Sequence, residues 1–189
     1  QDCYGDTVQK IRHIIGDTYR QHRYLLDALC FTEAEKHQFT KVMNCEMDDV
    51  TAQDALKNLS YYLHHYWRKR TILLLDEYDT PMQEAYVHGY WNEFINFIRG
   101  LFNSALKTNP YLERAVMTGI TRVSKESVFS DLNNLKVITI TSEEYADCFG
   151  FTEEEVFAAL KQTGLEDKKT DVKEWYDGFI FGSLHDIYN

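Results

Sequence analysis

The sequence predicts an α/β fold in which short parallel strands are covered by helices. Apolar residues recur at helical spacing through most of the first seventy residues. Two continuous apolar runs, "TILLL" (71–75) and "AVMTGI" (115–120), are typical of strands buried on both faces. The amphipathic segment "WNEFINFIRGLFNSALK" (91–107) separates them, so strand, helix and strand follow one another as in a parallel sheet.

The first part of the chain is predicted to contain three helices. Apolar residues spaced three to four apart predict a helix within residues 6–29. Thr32 and Glu35 have the spacing of a capping box, in which both side chains bind free amides at a helix start. A third helix is predicted from about Thr51 to the basic "RKR" at 68–70, because cations suit a helix C-terminus.

The last part of the chain is predicted to be mainly helical. "VITI" (137–140) is a third strand candidate, and Thr152 with Glu155 forms a second capping box that opens another helix. We therefore expect two parts, with a core over residues 1–145 and the start of a smaller helical part over residues 146–189.

Composition limits the classes of function. The 189 residues are 44% hydrophobic, which suffices for a sizeable core, and the net charge of −10 disfavours direct contact with nucleic acid. No apolar run is long enough to span a membrane. The four cysteines lie far apart without a C-x-x-C pair, which favours a cytoplasmic location. Because the sequence lacks an initial Met and stops at "LHDIYN", we expect it to be a piece of a longer protein.

The strand at 71–75 ends in two adjacent carboxylates, Asp76 and Glu77. Four apolar residues followed by Asp-Glu form the Walker B pattern, in which the Asp serves Mg²⁺ and the next acid polarises the attacking water. The pattern is short, so a chance match is the alternative. Asp79 precedes Thr80 and Pro81, an order typical of a helix cap, and we predict a structural role for it.

Further polar residues follow the strand candidate at 115–120. Thr118, Arg122 and Lys125 occur where a parallel neighbour would bring polar and cationic groups to the same sheet edge, although solvated loop charges explain the two cations equally well. No glycine in the chain precedes a lysine, so the chain lacks a Walker A loop for phosphates. "EDK" (166–168) matches half of a nuclease motif, but no Pro-Asp lies upstream.

Several separated motifs occur in the order seen in one bacterial protein family. "LLLDEYDTPMQEAY", "VMTGITRVSKESVFSDLNNL", "CFGFTEEEV" and "WYDGFIFG...IYN" resemble the AAA-ATPase-like family of P-loop NTPases, from about residue 30 to the end. The resemblance implies a partial P-loop NTPase core followed by a lid-like helical part, with the Walker A loop upstream. Family members often carry a C-terminal PD-(D/E)XK-type nuclease domain. This sequence does not contain that domain, and the resemblance makes it a candidate domain of the parent protein.

The resemblance also implies roles for single residues. Asp76 corresponds to the Mg²⁺ ligand, Glu77 to the acid that activates water, Thr118 to the sensor position and Arg122 to a phosphate-sensing cation. ATP and Mg²⁺ are the implied cofactors, and ATP is the implied partner of the complete protein. We therefore expect a segment of an ATPase that is inactive alone. The alternative is an interaction or regulatory domain that retains the fold without using nucleotide.

Overall fold

The computed structural model describes residues 3–120, 129, 135–176 and 178–188. The chain forms two compact units, residues 1–134 and residues 135–189, each with its own secondary structure. The division falls earlier in the chain than the domain boundary predicted at 145. The class is mixed α/β and rich in helix, as the sequence predicts.

The described residues of the first unit form five α-helices and a two-stranded sheet. In chain order these are α1 (Tyr4–Gln21), α2 (Glu33–Met43), α3 (Asp49–Trp67), β1 (Thr71–Leu75), α4 (Thr80–Val87), α5 (Trp91–Phe102) and β2 (Leu112–Met117). A 3₁₀ turn (Arg23–Asp27) follows α1, and a π turn (Asn103–Lys107) follows α5. The predicted helix at 91–107 is therefore α5 extended by that π turn.

Local sequence explains where two of these helices begin. The capping box of Thr32 and Glu35 is present, with the Thr32 amide donating to the Glu35 carboxylate at 2.7 Å. The Asp48 side chain accepts from the amide of Thr51 at 2.8 Å and so caps α3. The first helix stops at Gln21, eight residues before the predicted end at 29, because the backbone turns into a 3₁₀ helix there.

The core of the first unit lies between α1, α3 and α5. Tyr19 of α1 is 1% exposed, and its hydroxyl donates to the carbonyl of Ala55 in α3 at 2.7 Å. That burial raises the pKa of Tyr19 well above its usual value. Gly100 allows close approach of α5 to α3, because a Cβ there would come within 2.5 Å of the Gln53 side chain. The resulting helical layer supports the sheet from one side.

The two strands pair in parallel, as predicted, with Leu73 opposite Ala115 and Leu75 opposite Met117. The second strand spans Leu112–Met117 rather than 115–120, so Thr118 follows it instead of lying inside it. The prediction that the first strand is buried on both faces is wrong: Leu74 is 71% exposed. Its neighbours on that face are also exposed, because the helices described pack on the other side.

The described residues of the second unit form two α-helices, a 3₁₀ turn (Glu166–Lys168) and a small antiparallel sheet. Its elements are β3 (Phe151–Thr152), α6 (Glu153–Gln162), α7 (Lys169–Tyr176), β4 (Phe179–Phe181) and β5 (Leu184–Tyr188), with β5 as the central strand. The second predicted capping box is present at the start of α6. The strand predicted at 137–140 is not formed, and the part predicted to be mainly helical also contains an antiparallel sheet.

In the part of the chain described, no helix is both long and apolar enough to cross a bilayer.

Candidate functional site

The carboxyl ends of β1 and β2 bring three of the predicted site residues together. The Thr118 hydroxyl, which follows β2, donates a short hydrogen bond to the carboxylate of Asp76, which follows β1. The same hydroxyl oxygen accepts from the amide of Glu77 at 3.4 Å. The parallel pairing makes this possible, because it brings both strand ends to one edge of the sheet.

Backbone hydrogen bonds continue the pairing beyond the strands. The amide of Thr118 donates to the carbonyl of Leu75 at 2.9 Å, and the amide of Tyr78 donates to the carbonyl of Thr118 at 3.0 Å. Thr118 therefore holds the loop after β1 through its amide, its carbonyl and its side chain. The relative positions of Asp76 and Glu77 are fixed by this one residue of the neighbouring strand end.

Glu77 has an uncommon backbone conformation at this edge. Its φ of 50° lies in the left-handed region, which non-glycine residues enter at a cost. Its carbonyl accepts from the amide of Thr80 at 3.1 Å, and this turn leads directly into α4. The side chains of Asp76 and Glu77 are both exposed, so the two carboxylates lie at the surface.

Asp79 differs from the two exposed acids because it is only 1% exposed. It is the N-cap residue of α4, with Pro81 in the first turn, but its side chain makes no capping hydrogen bond. Instead, one carboxylate oxygen accepts from the Gln83 amide group at 2.9 Å. The other lies against Gly119, where an added Cβ would come within 2.4 Å of it. The buried carboxylate thus joins the loop after β1 to the residue after Thr118.

The loop between the two acids and α4 is also held by aromatic packing. The ring of Tyr78 packs edge-on against Phe129, with 5.6 Å between ring centroids. Phe129 is 4% exposed and stacks on Phe102 at the end of α5, with nearly parallel rings. The residue next to Glu77 is therefore anchored to the helical layer, which restricts movement of the acidic turn.

The fourth predicted site residue, Arg122, lies outside the described residues, as does Lys125. Within the described ranges, no group of three or more His, Cys, Asp or Glu side chains is arranged to hold a metal ion. The edge therefore offers the two carboxylates of Asp76 and Glu77 and the hydroxyl of Thr118. These are hard oxygen donors, and Mg²⁺ is commonly bound through one or two carboxylates together with water and substrate phosphates.

Sequence reasoning did not find the part that Asp79 and Gly119 play at this edge. The spacing of Asp79 before Pro81 is that of a helix cap, and it carries no sign that the carboxylate turns inward. A weak signal exists in "MTGI", because a glycine directly after a strand often marks close approach of another segment. Here the approaching group is the Asp79 carboxylate.

Comparison with protein-family models identifies a family for this chain. The AAA-ATPase-like family model, described as "Predicted AAA-ATPase", matches residues 10–129. A protein of Azotobacter chroococcum mcd 1, described as "Uncharacterized protein in vnfD 5'region", is 32% identical to this chain over 114 residues. The match covers 59% of this chain and 22% of that relative, so the chain spans about a fifth of the relative's length. No solved structure matches the chain.

Proposed function

The chain belongs to the AAA-ATPase-like family, and from this premise we propose that it supplies the magnesium and water-activating edge of an ATP site. The edge consists of Asp76, Glu77 and Thr118. The observation that carries the proposal is the hydrogen bond from the Thr118 hydroxyl to Asp76, which joins two parallel strand ends at an exposed edge. In open α/β sheets, ligands bind outside the carboxyl ends of such strands.

The donor set of this edge fits a magnesium nucleotide. When bound, Mg²⁺ would supply positive charge that offsets the negative charge developing on the phosphates during transfer. The Asp76 carboxylate would hold the metal, directly or through water. The Thr118 hydroxyl donates to one oxygen of that carboxylate. This hydrogen bond fixes the orientation of the Asp76 side chain, which water alone would not do.

Glu77 is proposed to orient and polarise the attacking water. Its exposed carboxylate is adjacent to Asp76 in sequence, and its backbone is held by hydrogen bonds on both sides. The left-handed φ of Glu77 supports the proposal, because strained backbone in non-glycine residues occurs frequently at functional sites. A carboxylate that polarises an attacking water acts as a general base, which contributes on the order of 10²–10⁴-fold to a rate.

The proposal is tested in a longer protein in which this segment is joined to a glycine-rich phosphate loop. Glu77→Gln should retain Mg-ATP binding, because the amide preserves size and Asp76 is unchanged. Turnover should fall on the order of a hundredfold or more, the scale of general base catalysis. Asp76→Asn should weaken metal-dependent nucleotide binding as well as turnover, because it removes the charge proposed to hold the metal.

Glu113→Gln is a matched control, since Glu113 is an exposed acid of β2 whose partner is Arg70 at 3.3 Å. Breaking such an exposed ion pair should leave binding and turnover unchanged. A longer protein that hydrolyses ATP equally fast with Gln at position 77 would refute the role of Glu77. A longer protein that neither binds nor hydrolyses nucleotide would instead favour the alternative, a nucleotide-independent interaction or regulatory domain.

A further inference from the structure

Three aromatic rings form an exposed cluster where the turn after α1 meets the end of α3. The rings of Tyr24, Tyr66 and Trp67 pack edge-on, with 5.4 Å between the centroids of Tyr24 and Tyr66 and 5.0 Å between those of Tyr66 and Trp67. The indole nitrogen of Trp67 donates to the Tyr24 hydroxyl at 3.1 Å. Trp67 is still 58% exposed, so its polar group is satisfied while much of its ring faces water.

Cations flank these rings along the chain. Four of them are exposed: Arg23, Arg68, Lys69 and Arg70. Arg68 is the C-cap of α3 with a left-handed φ of 57°, so the chain turns sharply directly after Trp67. Arg70 pairs with Glu113 at 3.3 Å. We call the three rings and the four cations the basic aromatic patch.

The basic aromatic patch comes from two stretches of sequence without acids. Residues 18–26 contain two arginines and residues 55–75 contain four bases, and neither stretch contains Asp or Glu, although the chain has 30 acids. The charge of the patch is therefore opposite to the net charge of −10. Exposed Trp, Tyr and Arg are the residue types enriched at the centres of protein interfaces. A patch of this composition fits an acidic protein segment that carries apolar side chains.

A segment of the second unit has the complementary composition. Residues 142–155, "SEEYADCFGFTEEE", contain six acids and no base. Phe149 is 59% exposed and Phe151 is 63% exposed, and the carboxylates of Asp147 and Glu154 lie on either side of them in sequence and are exposed as well. Two other acids pair within the unit: Glu144 with Lys136, and Glu153 with Lys173. We call residues 142–155 the acidic phenylalanine segment.

We propose that the basic aromatic patch of one copy of this chain binds the acidic phenylalanine segment of a second copy. Opposite charges would orient the two surfaces, and the rings of Phe149 and Phe151 would be buried against the ring of Trp67. A nucleic acid or an anionic bilayer fits less well, because the net charge of −10 repels an extended polyanion beyond the patch. Each copy carries both surfaces, so copies associate head to tail or reciprocally in pairs.

Sedimentation equilibrium of the 189-residue chain in about 0.15 M salt measures this association, because distant charges are screened there. We expect the mean mass to rise above the 22.3 kDa of one chain, with a dissociation constant between about 1 μM and 1 mM. Arg68→Glu/Lys69→Glu should raise that constant on the order of tenfold or more, because carboxylates would then face carboxylates. A parent chain that remains monomeric up to about 1 mM would overturn the proposal.

Lys41→Glu/Lys161→Glu is the matched control for that variant. It makes the same change in net charge, and both lysines are exposed and lie in the last turn of a helix outside the patch. Because these charges are distant from the proposed contact, the dissociation constant should stay within about threefold of the parent value. A control that weakens association as strongly as Arg68→Glu/Lys69→Glu would mean that net charge alone acts, which contradicts the proposed contact.

Mixing two charge-reversed variants tests which surfaces meet. Asp147→Lys/Glu154→Lys reverses the acidic phenylalanine segment and should also weaken self-association on the order of tenfold or more. In an equimolar mixture with Arg68→Glu/Lys69→Glu, each reversed surface meets one of opposite charge. Association should then return to within about threefold of the parent chain. A mixture that associates as weakly as each variant alone would overturn the proposed pairing.

Trp67→Ala tests the apolar part of the contact. It should raise the dissociation constant on the order of tenfold or more, because buried aromatic side chains dominate interface energies. Tyr86→Ala is its control, since Tyr86 is an exposed aromatic residue of α4 outside the patch, and it should leave the constant unchanged. Circular dichroism shows whether each variant is folded. If a charge-reversed variant is not, Trp67→Ala still decides: an unchanged dissociation constant overturns the proposal.

Discussion

Two neighbouring residues after β2 bind the loop after β1 in different ways. Thr118 uses polar groups, with its hydroxyl donating to Asp76 and its carbonyl accepting from the amide of Tyr78. Gly119 contributes only the absence of a side chain, which lets the Asp79 carboxylate approach its backbone. The first residue fixes the exposed acid and the second makes room for the buried one. Side-chain chemistry and backbone space are both required at this edge.

Gly119→Ala should destabilise the first unit. An added Cβ would lie 2.4 Å from an Asp79 carboxylate oxygen, and that carboxylate is buried and held by Gln83. Relieving such a clash in a packed site costs about 1–3 kcal/mol in the free energy of unfolding. Urea denaturation followed by circular dichroism measures this loss.

Gly5→Ala is the control for that measurement. Gly5 lies in α1, and a Cβ there would meet no atom closer than 3.9 Å. Alanine favours a helix over glycine by about 1 kcal/mol, so this variant should be slightly more stable than the parent chain. Equal stability of the two variants would mean that the loop after β1 shifts to accept the methyl group at Gly119.

At the scale of elements, side-chain hydrogen bonds from α3 join it to α2. The Tyr61 hydroxyl donates to the Glu35 carboxylate at 2.5 Å. This bond is the largest cause of a lowered pKa at Glu35, and it raises the pKa of Tyr61 to about 12. Because Glu35 also completes the capping box with Thr32, one carboxylate both starts α2 and attaches it to its neighbour.

Tyr61→Phe should therefore change how stability depends on pH. Because the pKa of Glu35 is lower in the folded than in the unfolded chain, Glu35 stabilises the fold at pH values above its unfolded-state pKa. This stabilisation is lost as the pH falls through the lowered, folded-state pKa of Glu35. The raised pKa of Tyr61 stabilises the fold below pH 10, and this is lost as pH rises towards about 12. At neutral pH the variant should lose about 1 kcal/mol in the free energy of unfolding.

Urea denaturation at several pH values provides the test, since the difference between the parent chain and Tyr61→Phe should shrink at both ends of the range. Tyr66→Phe is the control, because Tyr66 is 41% exposed. It should change the free energy of unfolding by less than about 0.5 kcal/mol at any pH. A difference for Tyr61→Phe that does not vary with pH would contradict the assignment of the pKa shifts to this bond.

The helices and parallel strands were predictable because their signals are local. Capping boxes at Thr32 and Thr152 identify helix starts from four residues each. The antiparallel sheet of the second unit was missed, although "FIF" and "LHDIY" are separated by Gly182 and Ser183, which is a hairpin signal. The exposure of β1 on one face was not predictable, because burial depends on which elements cover a strand and not on its own residues.

At the scale of the molecule, the parallel pairing of two strands was the part of the candidate site that the sequence could predict. The positions of Asp76, Glu77 and Thr118 follow from two strand ends at one edge. The inward turn of Asp79 is a packing result that depends on Gly119, more than thirty residues later in sequence, and no local pattern encodes it. Long-range contacts of this kind decide which acid is buried and which two are exposed.

The last prediction concerns nucleotide binding by the 189-residue chain itself. Most ground-state affinity for phosphates comes from a glycine-rich loop and its lysine, whereas the acids at a strand end contribute contacts to metal and water. No glycine here precedes a lysine, and the net charge of −10 repels a polyanion. Isothermal titration calorimetry with Mg-ATP should therefore detect no binding with a dissociation constant below about 1 mM. That constant corresponds to a binding free energy of about −4 kcal/mol. Micromolar affinity that Asp76→Asn abolishes would show instead that this edge binds nucleotide without the loop.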